Sequence, residues 1–300
     1  MNRPARSIEI FTMSALDLFV TAMGSFAILM MILFPYFRSK HEEEVVEKNT
    51  PANVLFCVWP TRVKDFEEFF KAVPDAKERG EEYRPDLFVQ DDVWRAPGYE
   101  QQPDFPVVGV TWYQAVAFCK WLTKKERAAG TIGPQDEYRL PTDAEWTAAA
   151  GPGKYPWGDR WPPPPKAGNF ADETWAHGMG YQHGYSDMQG YTDDHEMVAP
   201  VGSYTPNRFR LYDMAGNVKQ WVLDTYRPEM LPPEIREKNP YRKSVEKGFL
   251  YMLRGSTWQS HGEELCSYAR ALDDQTYHPD AGGFRCVLVV NSQPRSKPAP

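Results

Sequence analysis

The chain has 300 residues, enough for one substantial domain with an appendage and too few for several large ones. Hydrophobic content of 42% and charged content of 25%, with 10 Trp, 16 Tyr, 16 Phe and 27 Pro, argue against extensive disorder and for a rigid, aromatic, loop-rich domain. The net charge of −7 is spread without any basic block, which argues against nucleic acid as the main partner, since a phosphate backbone is held by clustered Lys and Arg.

After a short terminus over 1–13, Leu18 to Phe37 (LFVTAMGSFAILMMILFPYF) carries no charge for about 20 residues, the length that crosses a hydrocarbon core as a helix. The run ends in Pro35, Tyr36, Phe37 and Arg38 where a signal-peptide cleavage site has small residues, so the sequence predicts an uncleaved membrane anchor over 14–37. Arg3 and Arg6 before it balance Arg38 and Lys40 after it and leave its orientation open. Ser14, Asp17, Thr21, Gly24, Ser25 and Ile28 recur at helical spacing and share one face. Lipid offers such groups no hydrogen bonds, so the stripe is expected to face protein, with Asp17 and Thr21 as candidate ion-carrying residues. The alternative is that Asp17 only marks the helix start, where a carboxylate meets the positive end of the dipole.

Residues 38–52 (RSKHEEEVVEKNTPA) are charged without an apolar period and read as a stalk. The domain is expected to begin at Asn53 with a strand in VLFCVWP. A helix follows in VKDFEEFFKAV, through Val63, Phe66, Phe69, Phe70 and Val73. A second helix spans TWYQAVAFCKWLTKKERAAG, with Val116, Cys119 and Leu122 on one face and Gly130 as its stop. Few strands or helices are expected beyond it. From Gly151 to Val201 the chain is rich in Gly, Pro, Trp and Asn, and so long an irregular stretch points to function or to a bound ion. Residues 291–300 are expected to be a disordered tail.

Cys57, Cys119, Cys266 and Cys286 lack CxxC spacing, which offers neither a zinc knuckle nor a thioredoxin-type pair; two distant cysteines can pair in an oxidising compartment, or remain buried thiols. Cys57 lies in an alternating strand and reads as core. The chain contains no GxSxG elbow, P-loop, HExxH or Rossmann glycine series.

Two resemblances emerge from these segments. ALDLFVTAMGSFAILMMIL, with Asp17 ahead of Thr21, Ala22 and Met23, resembles the single helix of flagellar stator B-type subunits, although the spacing from Asp to Thr is one residue longer here. That resemblance implies a proton accepted and released by Asp17 against a multi-helix channel subunit, with a second copy of the chain alongside. It also implies an inner-membrane location, with the N-terminus in the cytoplasm and the domain in the periplasm or outside.

The series FPVVGVTWYQAVAFCKWL, YRLPTDAEWTAAA, YPWGDRWPPP, AGNFADET, APVGSYTPNRFRLYDMAGNVKQW, MLRGSTW, YARA and GGFRCVL resembles the formylglycine-generating enzyme (sulfatase-modifying factor) family over 53–290. The implied fold is α+β, C-type-lectin-like, with little regular secondary structure. Active members hold copper with two cysteines; here Ser260 and Leu265 stand near those positions, Cys266 is a single thiol and His261 a lone histidine. Copper is therefore not expected, and the chain reads as a noncatalytic binding domain for a cell-envelope ligand or protein. A tethered oxidase of the family and a simple tethered lectin-like receptor are the alternatives. The resemblance further implies a Cys119–Cys286 disulfide and two calcium sites. The first would use the side chains of Asn169 and Asp193 with the backbone oxygens of Phe170 and His195. The second would use Asp213 with the backbone oxygens of Gly216 and Val218, but Gln220 stands where the family usually has Glu. Ordinary Asx turns are the alternative for both.

Overall fold

The computed structural model describes residues 53–76, 78–80, 93–178, 188, 190–225, 250–274 and 281–291, all within the compact unit Ser39–Pro300. The expected anchor over 14–37 with Asp17 and Thr21, the stalk and the tail beyond Asn291 lie outside the described residues. Among the described residues no helix is long and apolar enough to cross a membrane.

The elements in chain order are β1 (Val54–Phe56), α1 (Val63–Ala72), a 3-10 turn (Val93–Arg95), α2 (Trp112–Ala129), β2 (Glu137–Arg139), α3 (Asp143–Ala150), α4 (Glu173–Gly178), β3 (Lys219–Thr225), β4 (Leu250–Arg254), a second 3-10 turn (Gly262–Leu265), β5 (Arg270–Asp274), β6 (Gly282–Phe284) and β7 (Val287–Val289). They form a mixed α+β fold with a three-stranded sheet, β1-β7-β2, and a four-stranded sheet, β5-β4-β3-β6, in which β3 and β6 run parallel.

α2 begins at Thr111, whose hydroxyl accepts from the Gln114 N–H while the Gln114 side chain returns to the Thr111 N–H, and it ends at Gly130 with φ 71°. Its buried face is Ala115, Phe118 and Cys119, one residue round from the expected stripe; Val116 and Leu122 are half-buried at its margins. The rotation follows from Phe118, whose ring meets Phe66 and Phe69 of α1 and Phe284 of β6 at centroid distances of 5.9, 5.7 and 5.3 Å. Each such fully buried ring contributes about 1.5–3 kcal/mol, enough to set the helix orientation.

The expected strand in VLFCVWP shortens to Val54–Phe56. The Cys57 N–H still reaches the Cys286 carbonyl, but Pro60 has no N–H to give, and the Val58 carbonyl accepts instead from Tyr212. The expectation of few elements beyond Gly130 understates the C-terminal half, which holds both sheets' remaining strands. Most of these are three to five residues long, too short for a period to be read, and β6 is buried throughout.

The RLPTDAEW segment is a structural joint. Thr142 caps α3 through a reciprocal pair with Glu145, and Glu145 also takes a bidentate ion pair from Arg139 at 2.7 and 2.8 Å. Asp143 pairs with Arg254 at the end of β4 and with Arg270 at the start of β5. Burial alone would raise the Asp143 carboxyl, but the two guanidiniums more than reverse this and hold it at about 2.

Candidate functional site

Three irregular segments meet around Asn169, Asp193 and Asp213. Asn217, at φ 62°, links them: its side-chain oxygen accepts from the Ala199 N–H at 3.0 Å and from Asn169 at 3.4 Å, and its amide donates to the Ala199 carbonyl and to Asp213. The Asn217 N–H donates to the Asn169 carbonyl at 2.9 Å, so the Asn169 and Asp213 loops are in direct contact.

At the first expected cation site, Asn169 is fully buried and donates to the Met197 carbonyl at 2.6 Å, while its Oδ1 has no hydrogen-bond partner. A buried acceptor without a donor is costly, by about 1–3 kcal/mol, unless a ligand meets it. The Asp193 carboxylate accepts from the N–H groups of Phe170 and His195 at 2.8 and 2.9 Å. Burial pushes this carboxyl up to about 7, with Asp172 adding to the rise. The His195 ring packs beside Tyr204, with Nδ1 3.1 Å from the hydroxyl. Asp172 is also buried; it accepts from the N–H groups of Asp193 and Trp175 and so fixes the Asp193 backbone. Asp172, Tyr204 and Asn217 were not singled out from the sequence, and only Asp172, an acid just ahead of α4, gave a local signal. Hard oxygen donors with one unmatched acceptor fit a calcium ion.

The second expected site is built differently. The Asp213 carboxylate accepts from the Gly202 N–H at 3.0 Å and is raised by burial. The side-chain oxygen of Gln220 accepts from Arg285 Nε at 2.6 Å, and its amide nitrogen lies 2.9 Å from the Asp213 carbonyl and 3.5 Å from the Val218 carbonyl. Arginine only donates, so the Gln220 atom facing it is the oxygen and the NH2 faces the carbonyls. Gly216 has φ 73° and packs on Asn169 and Phe170. These residues do not fit a calcium ion: amide hydrogens stand among the oxygens that would ligate it, and the Gln220 oxygen is already engaged. Among the described residues no group of three or more His, Cys, Asp or Glu is arranged to hold a metal ion.

Around the positions of the copper thiols, the turn after β4 is closed by Ser260, whose hydroxyl oxygen accepts from the Thr257 N–H at 3.1 Å. Leu265 is buried in an apolar cluster with Tyr155, Phe170 and Met188. The Cys266 thiol donates to Glu263 at 3.4 Å, and burial pushes it up to about 12. His261 is exposed. Cys57 is likewise pushed up to about 12 by burial, as suits a core thiol.

The sulfurs of Cys119 and Cys286 are 3.3 Å apart as buried thiols. Treatment with diamide is expected to remove two of the four free thiols and to stabilise the fold by about 3–5 kcal/mol, because the bond would close a loop of 167 residues. Thiol counting under denaturing conditions and urea unfolding check this; an unchanged thiol count would exclude the pairing.

The Sulfatase-modifying factor enzyme 1-like domain model matches residues 36–290. The formylglycine-generating enzyme of Thermomonospora curvata is 31% identical over 207 residues, covering 65% of this chain and 60% of that protein. The inactive C-alpha-formylglycine-generating enzyme 2 of Bos taurus is 28% identical over 223 residues, covering 69% of this chain and 60% of that protein. The chain thus spans about 60% of the length of these relatives. In fold it is similar to PvdO from Pseudomonas aeruginosa, with a TM-score of 0.52, 22% identity and coverage of 78% and 80% of the two chains. The domain match runs from Tyr36 to Val290, well over half of the chain, and this chain belongs to the family of Sulfatase-modifying factor enzyme 1-like domains.

Proposed function

We propose that the chain is a membrane-tethered, noncatalytic binding domain of this family. The observation that carries this reading is the chemistry of the turn after β4. Ser260 is tied into the turn, Leu265 is buried in apolar surroundings, and the single nearby thiol, Cys266, stays protonated at neutral pH. Copper(I) held between two thiolates needs two ionised sulfurs. The full-length chain in detergent, given copper(I) and a cysteine-containing peptide, is expected to consume no oxygen above a protein-free blank. Oxygen uptake abolished by Cys266→Ser would establish a tethered oxidase instead.

Calcium is the proposed cofactor, held by Asn169 Oδ1, the Asp193 carboxylate and the backbone oxygens of Phe170 and His195. Its charge would satisfy the unmatched Asn169 oxygen and offset the buried acids Asp172 and Asp193, bracing the loops on which a ligand is bound.

We infer that the domain is held outside the inner membrane by the uncharged run Leu18–Phe37, and that its partners there are a multi-helix channel subunit and a second copy of the chain. The polar face around Asp17 and Thr21 supports this reading. Purification from membranes as a lone monomer, with no copurifying multi-helix protein, would end it. In the simpler lectin-like receptor, Asp17→Asn would leave ligand binding and partner capture unaltered.

A further inference from the structure

We propose that the Asp213–Gln220 loop is braced by the chain's own donors, the Arg285 guanidinium and the Gln220 amide, so that the domain takes up one calcium ion rather than two. This rests on calcium at the Asn169–Asp193 site only for the count of one; the bracing itself is independent of it.

Arg285 is fully buried, and its donors converge on one region of the fold. Nε reaches the Gln220 oxygen, Nη1 reaches the Cys57 carbonyl at 3.2 Å, and Nη2 reaches the carbonyls of Tyr212 and Asp213 at 2.6 and 3.2 Å. The Gln220 amide adds a further donor to the Asp213 carbonyl at 2.9 Å. The carbonyls of Tyr212 and Asp213, beside the expected ligands, are thus held by a fixed cation, and the Gln220 amide nitrogen lies 3.5 Å from the Val218 carbonyl, itself one of those ligands. A calcium ion at this loop would have to displace the amide hydrogens and would find one carboxylate, Asp213, where a Glu at position 220 would supply a second. Calcium affinity falls as charged ligands are lost, and an amide turned hydrogen-first repels the ion.

The device is also matched in position. Gln220 opens the buried part of β3 and pairs in register with Arg254 of β4 on one side and Gly283 of β6 on the other, which fixes its backbone, and the side chain is fully buried and held by Arg285 and the Asp213 carbonyl. Arg285 directly follows β6. The two residues are thus set against each other by adjacent strands, which holds the amide in the orientation that excludes the ion.

Gln220→Glu removes the amide hydrogens and adds the missing charge at constant size. Full-length protein in detergent, stripped with a chelator, would be titrated calorimetrically with calcium chloride as wild type, Gln220→Glu and Asp193→Asn. The expected result is one equivalent for wild type, loss of that equivalent in Asp193→Asn, and one additional equivalent in Gln220→Glu. Two equivalents in wild type, or a single equivalent that survives Asp193→Asn, would overturn the proposal. So would a Gln220→Glu protein that takes up no more calcium than wild type. No uptake by wild type with one equivalent in Gln220→Glu would remove calcium from the first site while upholding the bracing of the second. The wild-type stoichiometry needs no variant to fold, and circular dichroism verifies the two that do.

Discussion

Asp143→Ala is expected to destabilise the domain by about 3–5 kcal/mol, a fall in melting temperature on the order of 10 °C. Asp143 is the carboxylate shared by Arg254 and Arg270, and Arg254 is fully buried. Without it, the Arg254 charge keeps its contacts to Thr147 and to the carbonyls of Ser267 and Ala269 but loses the Asp143 carboxylate that pairs with it. Removing one partner of a buried pair is far more damaging than losing an exposed pair, which is worth about 1 kcal/mol or less. Combining Asp143→Ala with Arg254→Met should recover part of the loss, since the stranded charge goes too. The pH dependence gives a second check. The Asp143 carboxyl sits at about 2 in the folded chain against an ordinary 3.8, so its contribution is present above about pH 4 and disappears as pH falls towards 2. That difference corresponds to about 2 kcal/mol. Urea unfolding across this range should show a larger acid loss in wild type than in Asp143→Ala, by about 2 kcal/mol, the remainder coming from carboxyls such as Glu145 that both proteins share. A destabilisation below 1 kcal/mol would mean that solvent reaches Arg254 and replaces the acid.

This joint also shows what the sequence does and does not reveal. Both expected helices lie where their apolar spacing puts them, α1 at Val63–Ala72 and α2 at Trp112–Ala129, whereas the capping boxes of Thr111 with Gln114 and Thr142 with Glu145, local as they are, emerge only in the structure. The Asp143–Arg254 pair spans 111 residues and leaves no local pattern. The parallel pairing of β3 with β6 joins segments far apart in the chain, and β6 is only GGF, with no period to detect. Within the site, Asn169 and Asp193 were legible only through the family resemblance, because an Asn and an Asp in loops look like any Asx turn. Gln220 was legible, again through the resemblance, as a Gln where the family usually has Glu. Its physical meaning was not, since that depends on Arg285, 65 residues away, and on which end of the amide faces it.

Gly216→Ala is expected to be comparably damaging, by about 2–5 kcal/mol, for two reasons that add. The backbone at Gly216 has φ 73°, where an L-residue pays about 1–2 kcal/mol. A Cβ there would also overlap the Asn169 carbonyl oxygen and lie 2.6 Å from the Phe170 ring, and overpacking of a closed core adds about 1–3 kcal/mol. Gly190 separates the two contributions, because its φ is 78° while an added Cβ meets nothing within 4 Å. Gly190→Ala should therefore show the strain alone, about 1–2 kcal/mol. The excess in Gly216→Ala measures how firmly the Asn169 and Asp213 loops are pressed together, and the same push on Asn169 should weaken calcium uptake at the first site while leaving Gly190→Ala unaffected. Equal destabilisation in the two variants would mean that the loops move apart at little cost. The contact between Gly216 and Asn169 would then no longer explain how the Asn169 and Asp213 loops are held in register.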